Sequence, residues 1–148
     1  MSINSKLLED MKQAMKSHDK EKLSVIRMAR AAIKNVEIEK RKDLSDEEVV
    51  EVLSKEVKTR REAIDGYREL EEDEEVERLE EELEVLMEYL PEQLTREELE
   101  EMVEKTIEEV NATDQSDLGR VMGALMPKVK GRADGKEVNQ LVQKMLQS

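Results

Sequence analysis

Apolar residues recur at intervals of three and four along most of the chain, which is the spacing of amphipathic helices. The N-terminal part predicts four such helices, whose apolar positions begin at Ile3, Leu23, Val49 and Val76. Asp19 stands where an N-cap is expected, and Ser45 with Glu48 matches a capping box. The fourth helix is expected to fold back on the third. The pattern thus predicts an elongated N-terminal helical hairpin domain over residues 1–90.

The rest of the chain predicts a second, smaller group of helices. Pro91 ends the fourth helix, and the segment PEQL that it opens is the predicted domain boundary. Thr95 and Glu98 form another capping box, and three amphipathic stretches follow it up to Leu146. We expect a three-helix C-terminal domain over residues 95–148, so the predicted fold class is all-α and multihelical.

Four of the five glycines lie in one segment, DLGRVMGALMPKVKGRADG, from Asp117 to Gly135. Gly119 and Gly123 are four apart, so on a helix they share a face, and close contact with another helix is the favoured interpretation. Gly131 suits the left-handed position that ends a helix. Cations crowd the same helix–loop–helix junction and define what we call the basic corner, which consists of Lys128, Lys130, Arg132 and Lys136.

The amino-acid composition limits the kinds of core and of functional site that the chain can form. Of all residues 43% are charged and 1% aromatic, and there is no Cys, Trp or Phe. A core without these residues must be built from aliphatic side chains and Met, which favours packed helices. The absence of Cys excludes a disulfide framework and thiolate metal sites. Two isolated tyrosines offer no platform for stacking single-stranded bases.

The net charge of −13 is unevenly distributed along the chain. Residues 1–43 hold 11 basic and 7 acidic side chains, residues 44–110 hold 8 and 27, and residues 111–148 hold 6 and 4. Phosphate contacts require cations, so a nucleic-acid surface is expected only near the two ends. The acidic run from Glu69 to Glu75 is interpreted as a solvated turn.

The second predicted helix carries cations on its outer face and at its end, namely Arg27, Arg30, Lys34, Lys40, Arg41 and Lys42. Two interpretations stay open. Cations at a helix C-terminus complement its dipole, which makes the set a solvated structural face. The alternative is a phosphate-binding role.

Catalytic residues are not expected. The single histidine, His18, is predicted at a helix boundary, and no Cys is present. The sequence has no phosphate-binding glycine loop of Walker or Rossmann spacing. We expect no cofactor and no metal site. No apolar run approaches the length of a membrane span and no signal peptide is recognised, so a cytoplasmic protein without membrane contact is expected.

The run GRVMGALMPKVKGRADG, the terminal helix EVNQLVQKML and the segment YLPEQLTREEL together resemble the GatB/YqeY family. That module forms the tail of the B subunit of glutamine-dependent aminoacyl-tRNA amidotransferase and also occurs in stand-alone proteins. The order of elements resembles the stand-alone YqeY-like branch over essentially the whole chain.

The resemblance implies a tRNA-binding module. The matching positions, which carry over as site residues, are Gly119, Gly123, Lys128, Lys130, Gly131, Arg132 and Gly135, with Lys136 as a neighbour. The kinase-like and amidase parts that transfer the amide are absent, so the resemblance implies no catalysis by this chain itself; a carbon–nitrogen ligase label with glutamine as amido donor would be inherited through the tail. The alternative is a protein–protein adaptor whose acidic middle docks a basic translation-related protein or tRNA synthetase.

Overall fold

The computed structural model describes residues 1–147, and these residues form seven α-helices and one short 3₁₀ helix. The all-α class is confirmed. The last residue of the predicted C-terminal domain, Ser148, lies outside the described residues. The helices are α1 (Ile3–Ser17), α2 (Lys20–Lys40), α3 (Asp46–Glu69), α4 (Asp73–Met87), α5 (Arg96–Glu109), α6 (Leu118–Val129) and α7 (Gly135–Gln147), with the 3₁₀ turn at Gln115–Asp117.

Three helices begin at the caps that the sequence predicts. The Asp19 carboxylate accepts from the amide of Lys22 at the start of α2. Ser45 and Thr95 each form a capping box, in which the carboxylate of the glutamate three residues later accepts a hydrogen bond from the backbone amide of the cap residue. Such caps satisfy amides that the first turn of a helix leaves without partners. Local sequence therefore fixes where these helices start.

The helices cluster in two compact units, residues 1–90 and 91–148. In the first unit, α3 and α4 pack against each other as predicted, and α1 and α2 pack together beside them. Its core consists of fully buried aliphatic side chains from α1 to α4 together with Tyr89. Among its largest members are Leu7, Ile26, Leu53 and Leu86, and burying each contributes roughly 1.5–3 kcal/mol.

A buried arginine joins α3 to α4. Arg60 is 5% exposed, and its guanidinium lies 3.1 Å from carboxylate oxygens of both Glu56 and Glu82. It also donates to the Glu56 carbonyl. The spacing of four residues between Glu56 and Arg60 is that of an ion pair along a helix, but that spacing gives no sign that Arg60 is buried. A buried charge is tolerated here because two carboxylates meet it.

The acidic run is only partly the turn that the sequence predicts, because residues 70–72 connect the two helices while Glu69 ends α3 and Asp73 begins α4. Leu70 caps α3, and Glu71 takes a left-handed conformation with φ 57°. Asp73 and the glutamates after it form the first turn of α4, where negative charge is favoured by the helix dipole. Residues 71–74 are exposed.

In the second unit, α5, α6 and α7 pack pairwise against one another. Their buried faces meet in a core of leucine and valine, of which Val103, Val121, Leu125, Val138 and Val142 are fully buried. Thr106, also buried, donates its hydroxyl proton back to the Met102 carbonyl 2.7 Å away, so its polar group is satisfied. This core holds α6 and α7 at the positions from which the candidate site is built.

Candidate functional site

The two helical glycines do not make a close helix contact. Gly119 and Gly123 are both exposed on α6, and a Cβ added at either would meet no atom within 4 Å. The buried face of α6 is instead formed by Val121, Leu125 and Val129, on the other side of the helix. The favoured interpretation from sequence is therefore wrong. The glycines leave a part of the helix backbone bare toward solvent.

Pro127 adds to this bare surface. It lies inside α6 and is exposed. Proline has no amide proton, so the Gly123 carbonyl, four residues earlier, lacks its usual donor within the helix. The exposed side of α6 thus combines two positions without side chains and one hydrogen-bond acceptor that the helix itself does not use.

The chain leaves α6 through a tight turn at residues 129–132. Lys130 has φ −56° and ψ 123°, Gly131 has φ 75°, and the amide of Arg132 donates to the Val129 carbonyl at 2.8 Å. These are the features of a type II β-turn, which requires a positive φ at its third residue. The prediction that Gly131 occupies a left-handed position is confirmed. An L-residue there would be strained by roughly 1–2 kcal/mol.

The segment Pro91–Leu94 acts as a strap that holds this turn. Gln93 donates through Nε2 to the Gly131 carbonyl at 2.7 Å, and the amide of Leu94 donates to the Arg132 carbonyl at 2.9 Å. In return, Arg132 Nε donates to the Glu92 carbonyl at 3.2 Å. Sequence reasoning treated PEQL only as a boundary and missed these contacts. The segment itself gave no sign of a partner 38 residues further along the chain.

The cations of the basic corner differ in their surroundings. Lys128, in the last turn of α6, lies 3.0 Å from a carboxylate oxygen of Glu109, with both side chains about half exposed. Lys130 projects from the second position of the turn, and Lys136 lies exposed in the first turn of α7. Within residues 1–147, no carboxylate oxygen lies within 4.0 Å of the Lys136 amine.

The predicted site residues therefore fall into two groups. The four cations, Gly131 and Gly135 lie on nine consecutive residues at the corner between α6 and α7. Gly119 is about 13 Å away from Lys128 along the axis of α6, given the rise of 1.5 Å per residue. Gly135 opens α7, where an added Cβ would lie 3.9 Å from the Met126 methyl group. Glu109 was missed by sequence reasoning, because α5 is covered with similar glutamates.

The fold and this site together define a class of protein. It is an all-helical chain with a basic corner whose tight turn contains a glycine and is held by the strap. The model of the YqeY-like protein family matches residues 4–146. The chain belongs to this family, and the resemblance noted in the sequence is confirmed at that level.

One curated relative is similar over nearly the whole chain. It is the altered inheritance of mitochondria protein 41, mitochondrial, of Pyrenophora tritici-repentis. The two are 30% identical over 144 residues, which cover 95% of this chain and 79% of the relative. Since the relative's name includes the word mitochondrial, the cytoplasmic location expected from the sequence stays a prediction. In the described part of the chain every helix is too short or too polar to cross a membrane.

Proposed function

We propose that the protein is a tRNA-binding module that performs no chemistry by itself and that contacts tRNA through the basic corner. The observation that supports this proposal most directly is the turn at Lys130–Gly131. Hydrogen bonds hold the turn on two sides, one to the Val129 carbonyl of α6 and two from Gln93 and Leu94 of the strap. A turn held on both sides fixes the backbone positions from which its cations project. Less freedom is then lost when a ligand binds.

Phosphate groups are the ligand chemistry that fits the corner. Lys128, Lys130 and Lys136 are exposed, and lysine ammonium groups contact phosphates as point charges. Arg132 donates through Nε to the Glu92 carbonyl, and this bond orients the guanidinium. The N–H groups of its two terminal nitrogens stay available to donate to a phosphate. Structured RNA is read largely through phosphates, sugars and shape, so such a surface needs no aromatic side chains.

The exposed face of α6 extends this surface. Gly119 and Gly123 allow a ribose–phosphate backbone to come closer to a helix than side chains would permit. The Gly123 carbonyl, left without a helical donor by Pro127, can accept from a ribose 2′-hydroxyl. The glycines thus support the proposal through access rather than through packing.

The pair between Lys128 and Glu109 limits binding without preventing it. Both side chains are about half exposed, at 40% and 46%, and surface pairs of this kind contribute little, about 0–1 kcal/mol. A phosphate can therefore displace the carboxylate. Removing the negative charge with Glu109→Gln is expected to strengthen tRNA binding by about two- to threefold at low salt.

The resemblance of residues 119–146 to the tail of the amidotransferase B subunit supports tRNA as the RNA in question. In that enzyme amide transfer belongs to domains other than the tail. On this proposal the protein would hold or present tRNA to a separate enzyme. Resemblance to this tail suggests which ligand is bound, but it does not assign a reaction to the protein.

The test is tRNA binding by the full-length protein, measured by fluorescence anisotropy over a salt series. We compare wild type with the Lys128→Ala/Lys130→Ala/Arg132→Ala variant. A matched control removes three exposed cations elsewhere, Lys55, Lys58 and Lys105. We expect the corner variant alone to lose at least about tenfold in affinity and to lower the salt slope by about 2–3. Equal binding by both variants would exclude the corner.

The adaptor alternative rests on the exposed acidic turn between α3 and α4. Residues 71–74 are exposed, and an acidic surface of this kind suits a basic protein such as a ribosomal protein or synthetase. A pull-down from cell extract with wild type and with Glu71→Gln/Glu72→Gln/Glu74→Gln separates the two proposals. Loss of a specific protein partner only in this variant favours the adaptor, and unchanged capture argues against it.

A further inference from the structure

A basic groove lies in the first unit, on the surface between α1 and α2. The groove is open to solvent and has a volume of about 520 Å³. The side of α1 contributes Asn4 and Ser5, which offer hydrogen bonds, and α2 contributes Arg27, Arg30 and Lys34. The sequence left two interpretations of these α2 cations open, and the surroundings of each cation distinguish them.

The basic residues at the end of α2 have structural roles at the junction with α3. Lys40 and Lys42 lie 3.5 and 3.0 Å from the same Glu48 carboxylate oxygen. Arg41 is the C-cap of α2 in a left-handed conformation, with φ 56°. The structural interpretation therefore suits Lys40 and Lys42, whose amines pair with Glu48, and Arg41, whose backbone ends α2.

The three cations in the groove are not neutralised in this way. Across residues 1–147, no carboxylate oxygen lies within 4.0 Å of the side-chain nitrogens of Arg27, Arg30 or Lys34. Arg30 Nη1 instead lies 3.2 Å from the Met11 sulfur. A thioether is a weak, uncharged acceptor, so it orients the half-buried guanidinium without balancing its charge.

One acidic side chain also lines the groove. Glu37 lies one turn beyond Lys34, and its Oε2 accepts from the amide of Leu44 at 3.1 Å. That bond ties the carboxylate to the loop after α2. Three cations against one engaged carboxylate leave the groove positive, although residues 44–90 of the same unit are strongly acidic.

The spacing of the cations matches a polyanion rather than a single small ion. Arg27, Arg30 and Lys34 follow one another by three and four residues and therefore share one helix face. They span about 10 Å along α2 at 1.5 Å per residue. Neighbouring nucleotides in one strand of B-DNA rise by about 3.4 Å and those in an RNA duplex by less, so this row reaches more than one phosphate.

We propose that the groove between α1 and α2 binds backbone phosphates of RNA, with Arg27 and Arg30 as forked donors and Lys34 as a point charge. Arginine presents a planar fork that matches two phosphate oxygens, and Asn4 and Ser5 add neutral hydrogen bonds from α1. The site is a second RNA contact, separate from the basic corner. The identity of its ligand as RNA rests on the proposed function.

The experiment measures tRNA binding by the full-length protein at low salt, using anisotropy. The groove variant is Arg27→Gln/Lys34→Gln, because both side chains are exposed and their replacement leaves the contact of Arg30 with Met11 in place. The control is Lys55→Gln/Lys58→Gln, which makes the same charge change on α3. Circular dichroism melting confirms that each variant is folded.

We expect the groove variant to bind about five- to tenfold more weakly than wild type, with a salt slope smaller by about 2, and the control to bind like wild type. Equal binding by the groove variant, while the corner variant loses affinity, would overturn this inference and leave the proposed function standing. Loss in the groove variant with no loss in the corner variant would support the groove and overturn the corner. Equal losses in the groove and control variants would also overturn it, since total charge alone would then explain the effect.

Discussion

Replacing Gly123 by alanine is predicted to stabilise the second unit and at the same time to weaken tRNA binding. Gly123 lies in the middle of α6, is exposed, and has no atom within 4 Å of an added Cβ. Glycine in a helix interior costs about 1 kcal/mol relative to alanine, chiefly through the entropy of the unfolded chain. With no clash to offset this gain, the free energy of unfolding should rise by about 1 kcal/mol.

The size of the effect makes it measurable. In a unit as small as residues 91–148, a change of 1 kcal/mol shifts the unfolding temperature by about 4–8 °C. Urea unfolding followed through the amide resonances of α6 and α7 monitors the helices of this unit. Binding is measured on the same protein by tRNA anisotropy, where the new methyl group should keep the RNA backbone away from α6 and reduce affinity.

Gly131→Ala is the matched control, because it adds the same methyl group with the opposite expected result. Gly131 has φ 75°, where alanine is strained by roughly 1–2 kcal/mol, so this variant should be less stable. A destabilised Gly123→Ala protein would refute the conclusion that this face of α6 is open. A stabilised one that binds tRNA as tightly as wild type would remove the glycine face from the proposed interface.

Three further predictions concern the first unit. Arg60→Met should lower the free energy of unfolding by about 3 kcal/mol in urea titrations, because it leaves two partly buried carboxylates without their shared cation; a cost below about 1 kcal/mol would contradict this. The bond to Lys42 lowers the pKa of Glu48 from 4.5 to about 2, so the stability from this carboxylate is complete above pH 4.5 and is lost as the pH falls toward 2; a carboxyl NMR titration with its midpoint near 4.5 would disagree. Burial, and secondly the Asp10 carboxylate, raises the pKa of the Tyr89 hydroxyl, which donates a 2.5 Å hydrogen bond to Asp10. Tyr89→Phe removes this bond and should lower the free energy of unfolding by about 1 kcal/mol in urea titrations, whereas an unchanged midpoint would show the bond to be dispensable.

Much of the fold could be predicted from the sequence because its signals are local. Helix starts at Asp19, Ser45 and Thr95 follow from side chains that reach amides three residues away, and each of these contacts is present. The positive φ of Gly131 follows in the same way from its place just after an amphipathic stretch. Interactions within a few residues leave a recognisable pattern in the sequence.

Contacts between distant segments could not be predicted in this way. Gly119 and Gly123 share a helix face, but the pattern does not say whether that face meets another helix or water, and here it meets water. The hydroxyl of Tyr89 donates to Asp10, 79 residues earlier, and no local pattern indicates that partner. The strap from Gln93 to Gly131 is of the same kind. Such contacts depend on how helices are brought together, which periodicity alone does not specify.

The central claim, that tRNA is bound at the corner between α6 and α7, is tested most directly by mapping the contact surface. The 17.2 kDa protein suits amide chemical-shift mapping by NMR during a titration with tRNA. The account predicts that the largest shifts fall on residues 119–136, on the strap at Pro91–Leu94 that holds the turn, and on the groove side of α2. Shifts confined to α4 and the acidic turn, or none at saturating tRNA, would contradict it.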